Sequence, residues 1–126
     1  MEWYSAPDIE KKLKEIVKSL EMDYVSLENI ICFRSEGSTS RARARIWSFP
    51  RVWQQALNLP PHYIIEVISK YFDKMSPADQ EKTLIHELLH IPRNFSGSLV
   101  PHKRRHWRLE KEAEKLHNLY VNNHLR

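Results

Sequence analysis

Apolar residues recur at Ile9, Leu13, Ile16, Val17 and Leu20, a spacing that predicts a helix resting on a core through one face. Ser5-Ala6-Pro7-Asp8 ahead of it reads as a helix start, with Ser5 as N-cap and Asp8 completing a capping box. Val25 to Phe33 is β-branched and aromatic enough to form a strand, ended by the polar stretch Ser35 to Ser40. Arg41 to Trp47 then alternates strictly. Arg41, Arg43, Arg45 and Trp47 fall on one face and Ala42, Ala44 and Ile46 on the other, as a strand with one wet face requires. Pro50 and Leu59-Pro60-Pro61 read as breakers, and Tyr63 to Ile68 is an apolar run of strand length.

A second helix start, Ser76-Pro77-Ala78-Asp79, opens a helix through Leu84, Ile85, Leu88, Leu89 and Ile91, which Pro92 stops. Its apolar residues span a wide arc, so it is expected to be mostly buried. A loop from Arg93 to Pro101 follows. A last helix, from about Arg104 to Tyr120, places Leu109, Ala113, Leu116 and Tyr120 on one side. The order predicts an α+β domain: a small sheet packed on an N-terminal helix and a buried central helix, with a C-terminal helix.

At 126 residues, with 41% hydrophobic and 29% charged, the chain suits one domain over 1–126 and excludes disordered and collagen-like classes. It contains no apolar run of membrane-spanning length and no signal-type stretch at its start. The lone Cys32 excludes an intrachain disulfide and reads as a core thiol, so a soluble, cytoplasmic protein with no membrane partner is expected. Charge changes this picture only locally. Residues 37–65 carry four arginines and no acid, and residues 101–126 seven basic groups against three acids. Arg41, Arg43 and Arg45 beside Trp47, and the basic C-terminal segment, are therefore candidates for DNA contact.

The chemistry is concentrated in His86-Glu87-Leu88-Leu89-His90, the H-E-x-x-H pattern on a helix. Residues i and i+4 lie one turn apart on one face, so both imidazoles reach a single zinc ion, while Glu87 points about 100° around the helix, off the metal but beside its water. A catalytic zinc takes three protein ligands. Candidates for the third are His102, whose backbone Pro101 helps to fix, then His106, then Glu110, Glu112 and Glu114. His62, His117 and His124 read as ordinary surface or partly buried histidines. For the oxyanion, Arg93, Tyr63 and His106 all stay open.

The stretch His86 to His102 resembles a family of small archaeal and phage-type metallopeptidases related to the SprT-like zincins. The resemblance runs upstream through Ala44-Arg45-Ile46-Trp47 and Tyr63-Ile-Ile-Glu66 to Thr83-Leu-Ile, covering most of residues 5–105. It implies a minimal zincin-like domain acting on a peptide or protein substrate, with Zn2+ held by His86, His90 and His102 and Glu87 as general base. It also implies that a strand, here Tyr63 to Ile68, serves as the edge that pairs with an extended substrate. The third histidine of SprT-like proteins is commonly followed by glycine, and Lys103 stands there instead. Two other functions fit the residues: a nucleic-acid-associated zinc-binding domain and a catalytically inactive interaction module of zincin fold.

Overall fold

A computed structural model of the chain, which describes residues 1–125, contains a four-stranded mixed sheet packed against helices. Strand β1 (Glu2–Ser5) pairs antiparallel with β2 (Ile30–Glu36), β2 lies parallel to β4 (Tyr63–Ile68), and β3 (Ala44–Trp47) runs antiparallel to β4. The order across the sheet is β1-β2-β4-β3. Helices α1 (Pro7–Ser19), α2 (Arg51–Leu57), α3 (Ser69–Phe72), α4 (Pro77–Leu88) and α5 (Leu109–His124) complete the α+β arrangement, and a two-stranded hairpin of β5 (Lys103–Arg104) and β6 (Trp107–Arg108) precedes α5.

The core lies between the sheet and helices α1, α4 and α5. Ile9, Leu13, Ile16 and Val17 of α1 and Leu84, Ile85 and Leu88 of α4 pack with Ile30, Cys32, Ile65 and Val67 of the two central strands. Cys32 is a buried thiol, and burial pushes its pKa up to about 12. Among the described residues no helix is long and apolar enough to cross a membrane.

Several boundaries differ from the sequence reading, each for a local reason. Ser5 is the last residue of β1 and makes no cap; Ala6 is the N-cap of α1, without a side-chain bond. The helix start at Ser76 holds, with Ser76 Oγ accepting from the Asp79 N–H at 3.2 Å. Leu27–Asn29 forms a 3-10 turn, so β2 begins only at Ile30 and continues to Glu36. The expected strand from Arg41 pairs only from Ala44. Arg104 and Trp107 pair in the hairpin, which delays the last helix to Leu109.

The largest correction concerns Tyr63–Ile68. It is an interior strand, bonded to β2 on one side and β3 on the other, and not a free edge for substrate. Its nearly continuous apolar run fits burial on both faces better than it fits an edge. The free edge next to it is β3. The Ile68 N–H donates to Arg43 C=O at 2.9 Å, so antiparallel alternation turns the backbone groups of Ala44 and Ile46 away from β4.

Candidate metal centre

Helix α4 ends at Leu88, and the chain tightens before Pro92, which has no N–H to continue the ladder. The His90 N–H donates to Glu87 C=O at 3.1 Å and the Ile91 N–H to Leu88 C=O at 3.0 Å, bonds that close three residues apart. His90 thus stays one turn beyond His86 and on the same side. The loop after Pro92 returns to this point. Val100, held extended by the following Pro101, donates its N–H to His90 C=O at 2.7 Å and accepts from His90 Nδ1 at 2.6 Å.

A carbonyl only accepts, so the proton of the neutral His90 ring sits on Nδ1 and the lone pair is left on Nε2. Two residues further on, His102 brings its ring over the pair. Ring centroids are 4.4 Å apart for His90–His102, 5.1 Å for His86–His102 and 5.2 Å for His86–His90. One nitrogen from each of the three lies within 4.8 Å of the others. Burial, and then the neighbouring His90 and His102, push the His86 pKa down to about 4, while Glu110 opposes the shift. Burial also lowers His90, against the Val100 bond. Burial that disfavours the protonated forms of His86 and His90, with three imidazole nitrogens this close together, suits a cation, so the residues fit a metal ion.

Glu87 lies next to this group, 6% exposed, with its carboxylate 4.0 Å from His86 Nε2. Burial pushes its pKa up to about 8. His86 and Glu87 face an open cleft of about 360 Å³ whose other walls include Arg43, Ala44, Lys82 and Glu110. Of the candidates for the third position, His102 joins the group. His106 does not; it sits exposed in the turn between β5 and β6. Glu110 and Glu114 line the cleft, and Glu112 faces a different cavity beside Trp107. The remaining histidines are engaged elsewhere: His62 with Pro60 C=O, His117 with Glu81, and His124 with Tyr120 C=O.

Two groups in this region escaped the sequence reading. One is the Val100 carbonyl, for which Val-Pro followed by histidine was the available signal. The other is the anchor of the loop. Tyr63, considered for the oxyanion, is 1% exposed, and its hydroxyl accepts from the Gly97 N–H and donates to Ser98 C=O, both at 2.8 Å. Gln54 of α2 donates to Phe49 C=O and Ser96 C=O at 2.8 Å each, and Phe49 N–H donates to Gly97 C=O. Gly97 adopts φ +94°, and a Cβ there would sit 2.3 Å from the Phe49 oxygen, so only glycine fits. Arg93 lies over the Tyr24 ring, 5.8 Å from its centroid.

Fold and site together define a small α+β protein with a three-histidine group able to hold a metal ion. Residues 1–122 match the family described as putative phage metallopeptidase, and the chain belongs to that family. No curated protein and no solved structure matches the chain.

Proposed function

We propose that the protein is a zinc-dependent peptidase, with His86, His90 and His102 holding the metal and Glu87 acting as general base. The observation that carries this reading is the convergence of three imidazole nitrogens beside a buried carboxylate that faces an open cleft. Membership of a metallopeptidase family supports it. Three nitrogen donors, without a thiolate, suit zinc in a catalytic site better than in a structural one. A bound zinc ion supplies Lewis acidity toward the scissile carbonyl and lowers the pKa of water.

The chain's own groups do the rest. The Glu87 carboxylate accepts a proton from the attacking water and delivers it to the leaving amine nitrogen as the C–N bond breaks and the C–O bond forms. The Val100 carbonyl keeps the His90 ring in one tautomer and one orientation. The outward N–H and C=O groups of Ala44 and Ile46 on β3 accept an extended substrate as an added strand, and Ala44 also lines the cleft beside His86 and Glu87.

The test is metal content together with cleavage of a mixed peptide library, on untagged wild type and Glu87→Gln. About one zinc per chain is expected in both, with cleavage falling by about 10²–10⁴-fold in the variant. Wild type that retains no zinc after reconstitution, or a variant that cleaves as fast as wild type, removes the proposal.

A further inference from the structure

The side of the sheet turned away from α1, α4 and α5 is not a polar surface. Ile31 and Phe33 of β2, Ile64 of β4, Trp47 of β3 and Trp3 of β1 share it, as the strand registers dictate. At one end the face runs into α2. This helix has no buried residue; Val52, Trp53 and Leu57 are 69%, 56% and 53% exposed. Its visible anchor is the pair of hydrogen bonds from Gln54. A seven-residue helix that buries no apolar side chain gains little from forming, which marks its outer face as one that something else covers. Between α2 and the sheet lies a hollow of about 250 Å³, lined by Ile31, Trp47, Leu57, Leu59, Tyr63 and Ile64.

We infer that α2 and the bare sheet face form a docking surface for an acidic amphipathic segment of a partner protein. Charge complementarity selects this occupant. The hollow has a carbon floor, and Arg51, at the start of α2, is exposed in a stretch of chain, residues 37–65, that contains no acid. On this face of the sheet, Glu66 is fully buried and taken by Arg45 at 2.9 Å and the Trp47 indole N–H at 2.9 Å. A second copy meeting this face with its own would set arginines against arginines. Single-stranded nucleic acid is favoured less, because the hollow, though Trp47, Phe49 and Tyr63 are among its walls, presents almost no polar group to a phosphate or a base edge. Moreover, the Trp47 ring has the Arg45 guanidinium over it, 4.9 Å from the centroid, with that cation already committed to Glu66.

The test uses a labelled helical peptide of about 16 residues, with leucine at i, i+3, i+4 and i+7 and glutamate on the rest of its surface, and a twin with lysine for every glutamate. Binding is read by anisotropy in the Glu87→Gln background, so that no turnover is involved and the result stands apart from the peptidase proposal. The acidic peptide is expected to saturate with Kd of order 10 µM and to weaken about tenfold between ~20 and ~200 mM salt. Leu57→Ser and Arg51→Glu, both at exposed positions, each weaken it about tenfold, and Val52→Ser gives a second apolar probe. Four results overturn the inference: no saturable binding, equal binding of the lysine twin, indifference to Leu57→Ser and Arg51→Glu, or a self-association in sedimentation that Leu57→Ser abolishes. Binding of oligo-dT that displaces the acidic peptide and outlasts it in salt reassigns the face to nucleic acid.

Discussion

His90 and Val100 are bonded to each other twice, imidazole Nδ1 to carbonyl oxygen at 2.6 Å and amide N–H to carbonyl oxygen at 2.7 Å. One residue of the histidine group is thereby built into the return of the loop, while His102 hangs from the loop's exposed end. The two should answer differently to deletion. His90→Ala leaves a carbonyl without its partner and is expected to cost about 1–3 kcal/mol as well as the metal. His102→Ala should lose or loosen the metal and leave the metal-free protein as stable as wild type. Thermal unfolding with and without chelator, combined with metal content, separates the two. Equal stability losses for both variants would refute the distinction.

The loop's anchor gives a second expectation. Tyr63→Phe keeps the ring packed edge-on against Phe95 but leaves the Gly97 N–H and Ser98 C=O unpartnered. The loss should be about 1–3 kcal/mol. Because the same loop carries Val100 and His102, metal should also dissociate about 10–100-fold faster, as when a residue that orients a metal ligand is removed. Chelator-capture kinetics read this directly. An unchanged off-rate would mean that the loop holds its shape without the hydroxyl.

Legibility in the sequence followed how local each signal was. The histidine pair and Glu87 are fixed by a spacing within one helix, and His102 by the proline before it. The anchor at Tyr63 was invisible because it spans 34 residues to Gly97. Strand β1 left no mark, since all four of its residues are exposed and nothing alternates. Helix α2 hides behind Pro50, which reads as a breaker but stands as the N-cap. Asn58, at φ 54°, supplies the left-handed cap that ends it. The arginine alternation matches the faces within β3, Arg45 and Trp47 against Ala44 and Ile46, but Arg41 and Arg43 lie before the strand and remain exposed, and only tertiary pairing shows that Arg45 serves Glu66.

The end of α1 offers a stabilising change. The Met22 N–H donates to Val17 C=O and the Glu21 N–H to Lys18 C=O, a Schellman closure that places Glu21 at φ 52°. A residue with a Cβ is strained there, and among the described residues the Glu21 side chain makes no hydrogen bond or ion pair. Glu21→Gly should therefore raise stability by about 0.5–1 kcal/mol, the reverse of what glycine usually does in a helix. Denaturant unfolding decides it, and a lower midpoint in the variant would show that unfolded-state entropy outweighs the relief of strain.

Arg34 ties the start of α1 to the segment before α4. Its guanidinium donates to both oxygens of Asp8, each at 3.1 Å, and to both oxygens of Asp73 at 3.0–3.1 Å. The hydrogen bond from Arg34 holds the Asp8 carboxyl below its ordinary value, against a smaller opposing effect of burial. A depressed carboxylate stabilises the fold fully above its unfolded pKa of about 3.9, and the contribution disappears as pH falls through the lower folded value. Exposure limits the size of the effect, because solvent screens the Asp8 side chain, which is 64% exposed, and bidentate geometry brings the clamp only to about 1 kcal/mol. Arg34→Met should accordingly be less stable than wild type by about that amount from pH ~5 to ~7, with the difference closing below pH ~4. High salt should narrow the gap at neutral pH as well. Paired denaturant titrations across this range test the sign, and a gap that widened in acid would mean that Arg34 contributes through packing of its stem and not through its carboxylate partners.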